Sequence, residues 1–244
     1  MKISLFLTPE PFRKADLSDK TIVVIDVLRA TTTICAALAA GARAVIPASE
    51  RGKASDIRIK IGSENSILAG ERDGVKIESF DLGNSPLEFT TELVEGKFII
   101  LCTTNGTPVL EHATKAKNVF CAGLVNISKV ADEVYKQNSD LIIVCSGKAG
   151  EFSIEDTLCA GKLIDILQTQ YNISTELNDA GSLALLLYKD NRSNLSRAVA
   201  NGEHGRYLSS IGFDADIAFA GEVDRFGLVP KLVDGQLVLE NNNE

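Results

Sequence analysis

The sequence contains little of what several common kinds of site require. Only two of the 244 residues are histidines, His112 and His204, so a histidine-rich metal site or a Ser-His-Asp triad has few candidates. The segment around His204 is expected to form a helix face. Five cysteines are present, but no Cys-x-x-Cys pair occurs, and each cysteine lies in an apolar stretch. We therefore expect reduced, mostly buried thiols and a cytoplasmic protein.

Long apolar runs and an excess of basic charge are also lacking. The longest candidate run, residues 34–42, falls well short of the ~18–20 residues that a membrane-spanning helix needs. The N-terminal residues are partly apolar but show no signal-peptide cleavage pattern before Pro9. With 25 Lys and Arg against 33 Asp and Glu, the formal net charge is −8, which predicts no membrane partner and no nonspecific nucleic-acid partner. An anionic ligand would need local arginines, backbone amides or a metal ion.

Short β-branched runs alternate with helical patterns along the chain. Strands are predicted at residues 2–7, 21–27, 44–47, 97–102, 118–121, 141–145 and 216–220, and helices at residues 31–42, 107–115, 127–136, 154–168, 180–188 and 202–211. Several of the strand runs are apolar throughout, which is typical of central strands covered on both faces. The pattern predicts an α/β fold, with a layered, largely parallel or mixed sheet flanked by helices. We expect one domain over residues 1–244, with a less regular C-terminal part from about residue 175.

Ligands of such sheets gather beyond the carboxyl ends of the strands, so the polar residues after each apolar run are candidates for a site. Asp26, Arg29, Thr31 and Thr32 follow the second run. Asp26 can bind a metal or act as a nucleophile, and Arg29 can bind a phosphate through two N–H groups. Thr31 and Thr32 are expected to expose hydroxyls and amides at a helix N-terminus, where anions are favoured. Alternatively, Asp26 only ends the strand and a threonine only caps the helix.

A second polar segment follows the run at residues 98–101. It consists of Thr103, Thr104, Asn105, Gly106 and Thr107. Hydroxyls and an Asn-Gly turn before a helix make a plausible anion cradle, in which backbone N–H groups converge. The segment lacks the GK[ST] signature of a Walker A loop. The alternative for Thr107 is a simple N-cap.

A third polar segment follows the run at residues 141–144. Gly147 permits close approach of the backbone to a ligand, and Glu155 and Asp156 are paired carboxylates of the kind that Mg²⁺ prefers. Alternatively, Ser153 and Asp156 match a capping box, in which Asp156 only closes the start of the helix. Cys145 is expected to be a buried thiol rather than a nucleophile.

Two polar loops add further candidates. Residues 70–74 form a predicted turn that contains Arg72, and residues 80–86 form a predicted loop that contains Asn84 and Ser85. Taken separately, either loop is as well explained as a solvated turn.

Five segments, in this order and spacing, resemble the 2-phosphosulfolactate phosphatase family, often called ComB. They are Asp26-Val-Leu-Arg-Ala-Thr-Thr-Thr, Gly70-Glu-Arg, Phe80-Asp-Leu-Gly-Asn-Ser-Pro, Thr103-Thr-Asn-Gly-Thr and Phe152-Ser-Ile-Glu-Asp. The resemblance is firmest from about residue 20 to 165. It implies a ComB-like α/β fold, unlike the common phosphatase folds, and a Mg²⁺-dependent phosphatase that hydrolyses (R)-2-phospho-3-sulfolactate to 3-sulfolactate and phosphate. In methanogens this reaction belongs to coenzyme M biosynthesis.

The leading hypothesis is therefore Mg²⁺-assisted hydrolysis of a small anionic phosphomonoester. The candidate catalytic residues are Asp26, Arg29 and Glu155, and the candidate metal ligands are Asp26, Glu155 and Asp156. The candidate substrate-binding residues are Thr31, Thr32, Arg72, Asn84, Ser85, Thr103, Thr104, Asn105, Gly106, Thr107 and Gly147. Water attack and a covalent route through Asp26 both remain open, although Leu28 stands where dehalogenase-type phosphatases carry a second aspartate.

Two other classes of function compete with this hypothesis. A non-catalytic sensor or carrier of a small phosphorylated metabolite would use the same anion-binding loops. A nucleotide- or redox-cofactor enzyme is disfavoured, because GxGxxG and Walker A motifs are both missing. A homo-oligomer remains open.

Overall fold

The apolar runs of the sequence form one mixed sheet of eleven strands in the computed structural model, which describes residues 1–239. The strands are β1 (Lys2–Phe6), β2 (Thr21–Ile25), β3 (Ala44–Pro47), β4 (Ser66–Arg72), β5 (Val75–Lys76), β6 (Phe98–Cys102), β7 (Asn118–Ala122), β8 (Leu141–Cys145), β9 (Glu176–Leu177), β10 (Pro230–Val233) and β11 (Gln236–Leu239). The predicted α/β class, with a mixed sheet flanked by helices, is confirmed, and the sheet does not close into a barrel.

Helices connect most of the strands. They are α1 (Pro9–Phe12), α2 (Ala30–Ala39), α3 (Arg51–Ile61), α4 (Thr91–Val94), α5 (Gly106–Ala113), α6 (Ile127–Gln137), α7 (Ile154–Thr169), α8 (Asp179–Asn191), α9 (Leu195–Asn201), α10 (Glu203–Ser210) and α11 (Asp214–Ala220), with 3₁₀ turns at Pro86–Glu88 and Leu124–Asn126. In the part of the chain that the structure describes, no helix is both long and apolar enough to cross a membrane.

The sheet consists of two parallel blocks joined by an antiparallel hairpin. Its strand order is β5-β4-β6-β3-β11-β10-β7-β2-β8-β1-β9. β4, β6 and β3 pair in parallel, and so do β7, β2, β8, β1 and β9. The hairpin β10–β11 pairs antiparallel with β7 on one side and with β3 on the other. Three successive antiparallel pairings therefore make the two blocks run in opposite senses.

Both faces of the central strands are covered, which explains their unbroken apolar sequences. All five residues of β2 are buried. Ile22 and Val24 pack into one core with residues of α2 and α5, whereas Val23 and Ile25 pack into another with residues of α6 and α7. Because successive side chains of a strand point to opposite faces, only a continuous apolar run can serve both cores.

The structure corrects three of the predicted elements. Residues 216–220 are not a strand but lie in α11, where Asp214 and Asp216 occupy the first turn, a position that favours acidic residues. Residues 70–72 end strand β4, so the predicted turn is confined to Asp73 and Gly74, which both have positive φ. The predicted helix at 202–211 begins at Glu203 because Gly202 separates α9 from α10.

The C-terminal part of the described chain, residues 176–239, consists mostly of regular elements. It forms β9, four helices and the β10–β11 hairpin. The hairpin turns at Asp234 and Gly235, whose φ values are 49° and 77°, and an Asp-Gly pair is the common signal for such a two-residue turn. The β10–β11 hairpin thus lies in the middle of the sheet, between β7 and β3.

Candidate functional site

A cavity of about 280 Å³ lies where the carboxyl ends of four strands meet. Asp26 follows β2, Glu71 ends β4, Thr103 follows β6 and Lys148 follows β8. Although the two parallel blocks have opposite senses, twist accumulates across a wide sheet and allows their ends to converge. The contact is close, because a Cβ atom added to Gly106 would lie 2.6 Å from Asp26 Oδ2.

Six of the predicted site residues line this cavity. They are Asp26, Arg29, Asn84, Thr103, Thr104 and Asn105. Segments far apart in sequence are thus brought together, as the hypothesis of one anion site requires. Glu155 does not line this cavity but lines a neighbouring one.

Asp26 is the most perturbed carboxylate that lines the cavity. Its Oδ1 accepts a hydrogen bond from Ala30 N at 3.1 Å, whereas Oδ2 accepts none from the described residues. The pKa of Asp26 is raised to about 6, because burial and the nearby carboxylates of Glu71 and Glu155 raise it more than His204 and the hydrogen bond from Ala30 N lower it. The fold therefore holds a carboxylate with one oxygen unused by the protein, in surroundings that disfavour its charge.

Arg29 is held rigidly by the fold. Its Nη1 donates to Asp216 Oδ2 and its Nη2 to Gly74 O, each at 2.6 Å, and the guanidinium lies 4.1 Å from the Phe213 ring centroid. The side chains of Arg29 and Asp216 are 2% and 3% exposed, so the pair is fully desolvated. Ser85 Oγ also donates to Asp216, at 2.7 Å. Because Asp216 balances its charge, Arg29 contributes shape and fixed donors more than net positive charge.

The loop before α5 forms a second wall of the cavity. Thr103 and Thr107 bond reciprocally, because each backbone N–H donates to the other residue's hydroxyl at 3.1 Å. Asn105 is the residue that precedes the helix, so the alternative interpretation of Thr107 as a simple N-cap does not hold. Thr107 is fully buried, and its hydroxyl serves this internal bond rather than the cavity surface.

Glu71 connects two walls of the cavity. Its Oε1 accepts from Thr104 N and its Oε2 accepts from Gly74 N, each at 2.8 Å. On the far side, Asn105 Oδ1 accepts from Ala149 N at 3.2 Å and thereby joins the loop before α5 to the loop after β8. These bonds fix the spacing between the strand ends.

Glu155 and Asp156 begin α7 and are both buried. Asp156 Oδ1 accepts from Val27 N at 2.8 Å and Oδ2 accepts from Gly147 N at 3.1 Å, so this carboxylate ties β2 to the loop after β8. Burial, together with Glu155 and Asp26, raises the pKa of Asp156 well above its ordinary value. Ser153 stands at the N-cap position, as predicted, but its side chain makes no capping bond.

The remaining predicted substrate-binding residues are occupied by internal bonds. The Thr31 hydroxyl donates to Asp26 O and Ala122 O, and the Thr32 hydroxyl donates to Val27 O. Arg72 donates to the carbonyls of Glu71, Cys102 and Ser49. A Cβ on Gly147 would lie 2.1 Å from Glu151 O, so this glycine permits a close approach within the loop itself. The binding roles of these residues stay predictions.

Cys145 is a buried free thiol, as expected. It is 0% exposed, and burial raises its pKa well above the ordinary value, so the nucleophilic thiolate is disfavoured.

Further polar side chains that were not among the predicted site residues also line the cavity. They are Glu71, Asp73, Lys148, His204 and Tyr207. Glu71 lies in the Gly70-Glu-Arg segment at the end of β4 and Lys148 lies in the loop after β8, so only their position near strand ends could have indicated a role. His204 and Tyr207 lie on α10, whose position over the strand ends has no local signal. Lys148 is their neighbour, with Nζ 4.7 Å from the Tyr207 ring centroid and 3.3 Å from Glu203 Oε1.

The carboxylates around the cavity are potential ligands of a divalent cation. Within residues 1–239, no group of three or more His, Cys, Asp or Glu side chains is arranged to hold a metal ion. Mg²⁺, however, commonly uses one or two protein carboxylates, with water and substrate oxygens completing its ligands. Asp26 Oδ2 and the buried Glu155 Oε2 both accept no protein hydrogen bond in the described structure. The residues present therefore fit an ion held through few protein ligands.

Comparison with known proteins gives a consistent result over the whole chain. A profile of the 2-phosphosulpholactate phosphatase family matches residues 6–235. A protein of Caldanaerobacter subterraneus subsp. tengcongensis is 41% identical over 235 residues, covering 96% of this chain and 97% of the relative. A Carboxydothermus hydrogenoformans protein is 39% identical, covering 99% and 98%, and a Clostridium novyi protein is 38% identical, covering 95% and 97%. All three relatives are named probable 2-phosphosulfolactate phosphatase.

Proposed function

This chain belongs to the 2-phosphosulfolactate phosphatase family, and on that premise we propose that it hydrolyses (R)-2-phospho-3-sulfolactate to 3-sulfolactate and phosphate. The observation that carries the proposal is the convergence of Asp26, the Thr103–Asn105 loop and Lys148 around one cavity.

Substrate binding has to overcome the acidity of the cavity. The substrate carries up to about four negative charges, whereas Asp26, Glu71 and Asp73 line the cavity. Lys148 supplies a cation that is only partly balanced by Glu203, and the first turn of α5 presents N–H groups that have no partner within the helix. We infer that a divalent cation is needed before the phosphate can bind next to Asp26.

Asp26 is the proposed protein ligand of that cation, which we take to be Mg²⁺. When bound, the ion would neutralise charge on the phosphoryl group. The predicted metal roles of Glu155 and Asp156 stay predictions, and the proposal does not depend on them. Asp26 Oδ2 would be the phosphoryl acceptor in a covalent route, so water attack and a phospho-aspartate route are both retained.

Phosphate release from a set of small phosphorylated acids tests the activity. The set includes 2-phosphosulfolactate, 2-phospholactate and phosphoenolpyruvate, each with Mg²⁺ and with EDTA. We expect 2-phosphosulfolactate to be hydrolysed fastest and the activity to disappear with EDTA. Binding of phosphorylated acids without any release of phosphate would instead indicate a sensor or carrier.

The role of Asp26 has its own test. Asp26→Asn keeps an oxygen to accept from Ala30 N but removes the charge, and we expect kcat to fall at least about 100-fold. Full activity in this variant would overturn the assignment. Quenching wild-type turnover and trapping an acyl phosphate at Asp26 would select the covalent route, and its absence under the same conditions would select attack by water.

A further inference from the structure

His204 and Glu155 form a buried pair at the edge of the cavity. His204 Nδ1 lies 3.0 Å from Glu155 Oε1, and the side chains are 12% and 2% exposed. His204 belongs to the wall of the main cavity and also to that of its neighbour, whereas Glu155 is reached only from the neighbour. The imidazole is thus the part of the pair that a ligand in the main cavity can touch.

The hydrogen bond to Glu155 determines which ring nitrogen is available. When Nδ1 donates to the carboxylate, the ring is held in place and Nε2 is left for other partners. Within residues 1–239, Nε2 makes no hydrogen bond to the protein. A buried carboxylate that orients an imidazole towards a cavity is the arrangement expected of a proton donor or acceptor.

His204 and Asp26 both line the main cavity. The two side chains approach the cavity from different elements, since Asp26 follows β2 and His204 lies on α10. A phosphomonoester between them would have its phosphorus near Asp26 and its ester oxygen towards α10.

We propose that His204 is the general acid that protonates the leaving oxygen of the substrate, and that Glu155 is a positioning residue that holds the imidazole for this step. The inference rests on the proposed phosphatase function. The leaving group of that reaction is the alkoxide of a 2-hydroxy acid, which is a poor leaving group unless a proton reaches it.

The step balances without a further reactant. As the bond between phosphorus and the ester oxygen breaks, its electron pair stays on the oxygen, and the proton on His204 Nε2 moves to that oxygen to form the alcohol. The phosphoryl group ends on the oxygen of water as inorganic phosphate. The proton that this water loses restores the protonated imidazole.

Leaving-group dependence provides the test. Wild type, His204→Gln and Glu155→Gln are compared on 2-phosphosulfolactate, 2-phospholactate, phosphoenolpyruvate and p-nitrophenyl phosphate, with the fold of each variant checked by circular dichroism. We expect His204→Gln to lower kcat about 10²–10⁴-fold on the two alkyl esters. The loss should be far smaller on the enol and aryl esters, whose leaving groups depart without a proton. Glu155→Gln should show the same selectivity with a smaller loss.

The second histidine provides the matched control. His112 lies on α5 with its ring against Phe12, at 5.3 Å between centroids, and does not line the cavity. His112→Gln should therefore leave every rate unchanged.

A second measurement needs only 2-phosphosulfolactate. If His204 protonates the leaving oxygen, the heavy-oxygen kinetic isotope effect at the bridging oxygen should increase in His204→Gln, because negative charge then builds up there. Equal losses on all esters together with an unchanged isotope effect would overturn the inference. Failure of the wild type to release phosphate from any ester would overturn the proposed function itself, which is a different result.

Discussion

Asp26 carries a charge in a place where the fold does not favour it. The carboxyl group is buried, and its pKa is raised to about 6, mainly by burial and also by Glu71 and Glu155. A buried carboxylate of this kind is typical of functional sites, where ligand binding and not folding sets the requirement. In the absence of a cation, the charge of Asp26 should therefore lower the free energy of unfolding.

The pH dependence of stability follows from this raised pKa. Since the folded-state pKa lies above the unfolded value, the folded state binds more protons between about pH 4 and pH 6, and stability falls as the pH rises through that window. Asp26→Asn should therefore raise the free energy of unfolding by about 1–3 kcal/mol at pH 8 in EDTA, and by much less near pH 4. Urea unfolding of both proteins at the two pH values provides the measurement.

A matched control for this prediction is Asp56→Asn, because Asp56 is exposed on α3. Its stability should follow wild type at both pH values. If Asp26→Asn were less stable than wild type at pH 8, the raised pKa would not describe this site.

Gly106 sets the distance between α5 and Asp26. A Cβ at this position would lie 2.6 Å from Asp26 Oδ2 and 2.7 Å from Ala30 Cβ, so Gly106→Ala must move the carboxylate or the helix. We expect a loss of phosphate release of at least about tenfold and a destabilisation of about 1–3 kcal/mol. Steady-state kinetics and thermal unfolding measure the two effects.

Gly52 offers the comparison for this substitution. It lies exposed in α3 with no atom within 4 Å of an added Cβ, so Gly52→Ala should raise stability by about 0.5–1 kcal/mol and leave activity unchanged. Unaltered activity in Gly106→Ala would indicate either that Asp26 takes no part in the reaction or that α5 can shift without disturbing it.

At the scale of elements, the site depends on how helices are placed over the strand ends. α11 supplies Asp216, which fixes Arg29 at the start of α2, and α10 supplies His204, which contacts Glu155 at the start of α7. Each of these bonds joins an element from the C-terminal third to one from the first two thirds. The site is therefore assembled only when both parts of the chain are folded together.

The crossing of α7 and α8 is a close helix contact. A Cβ on Gly161 would lie 2.0 Å from Ala184 O and 2.8 Å from Tyr188 Cβ. Gly161→Ala should push α8 away from α7 and cost about 1–3 kcal/mol of stability, measured by urea unfolding. Gly52→Ala is again the control, and a Gly161→Ala protein as stable as wild type would contradict this packing.

For the molecule as a whole, burial governs the chemistry of the thiols. Five free cysteines, namely Cys35, Cys102, Cys121, Cys145 and Cys159, are all buried, and burial raises the pKa of each thiol. A thiol with a raised pKa stays protonated near neutral pH and reacts slowly.

Thiol reactivity should therefore report global unfolding. In Ellman's assay at pH 8, native protein should react at far below the rate of a free thiol, and denatured protein should release five equivalents. Phosphate release should be unaffected by the reagent over the same time. One fast-reacting native thiol with parallel loss of activity would point to a cysteine at the site.

Net charge is a second property of the whole molecule. The chain carries −8, and part of this excess lies in the cavity, where Asp26, Glu71 and Asp73 meet Lys148 and a neutralised Arg29. Removal of the cation should consequently weaken substrate binding more than any change in the exterior charges, since solvent and salt screen the latter.

The sequence by itself determined the class of fold, because short, β-branched apolar runs such as residues 22–25 alternate with helical patterns and are typical of strands covered on both faces. It also predicted that Asp26 and the Thr103–Asn105 loop belong to one site, since both directly follow such strands, and both line the cavity. Only the tertiary structure decided that Asp216 lies in a helix and neutralises Arg29, and that His204 meets Glu155. Those pairings join residues 187 and 49 positions apart, and no local pattern specifies contacts over such separations.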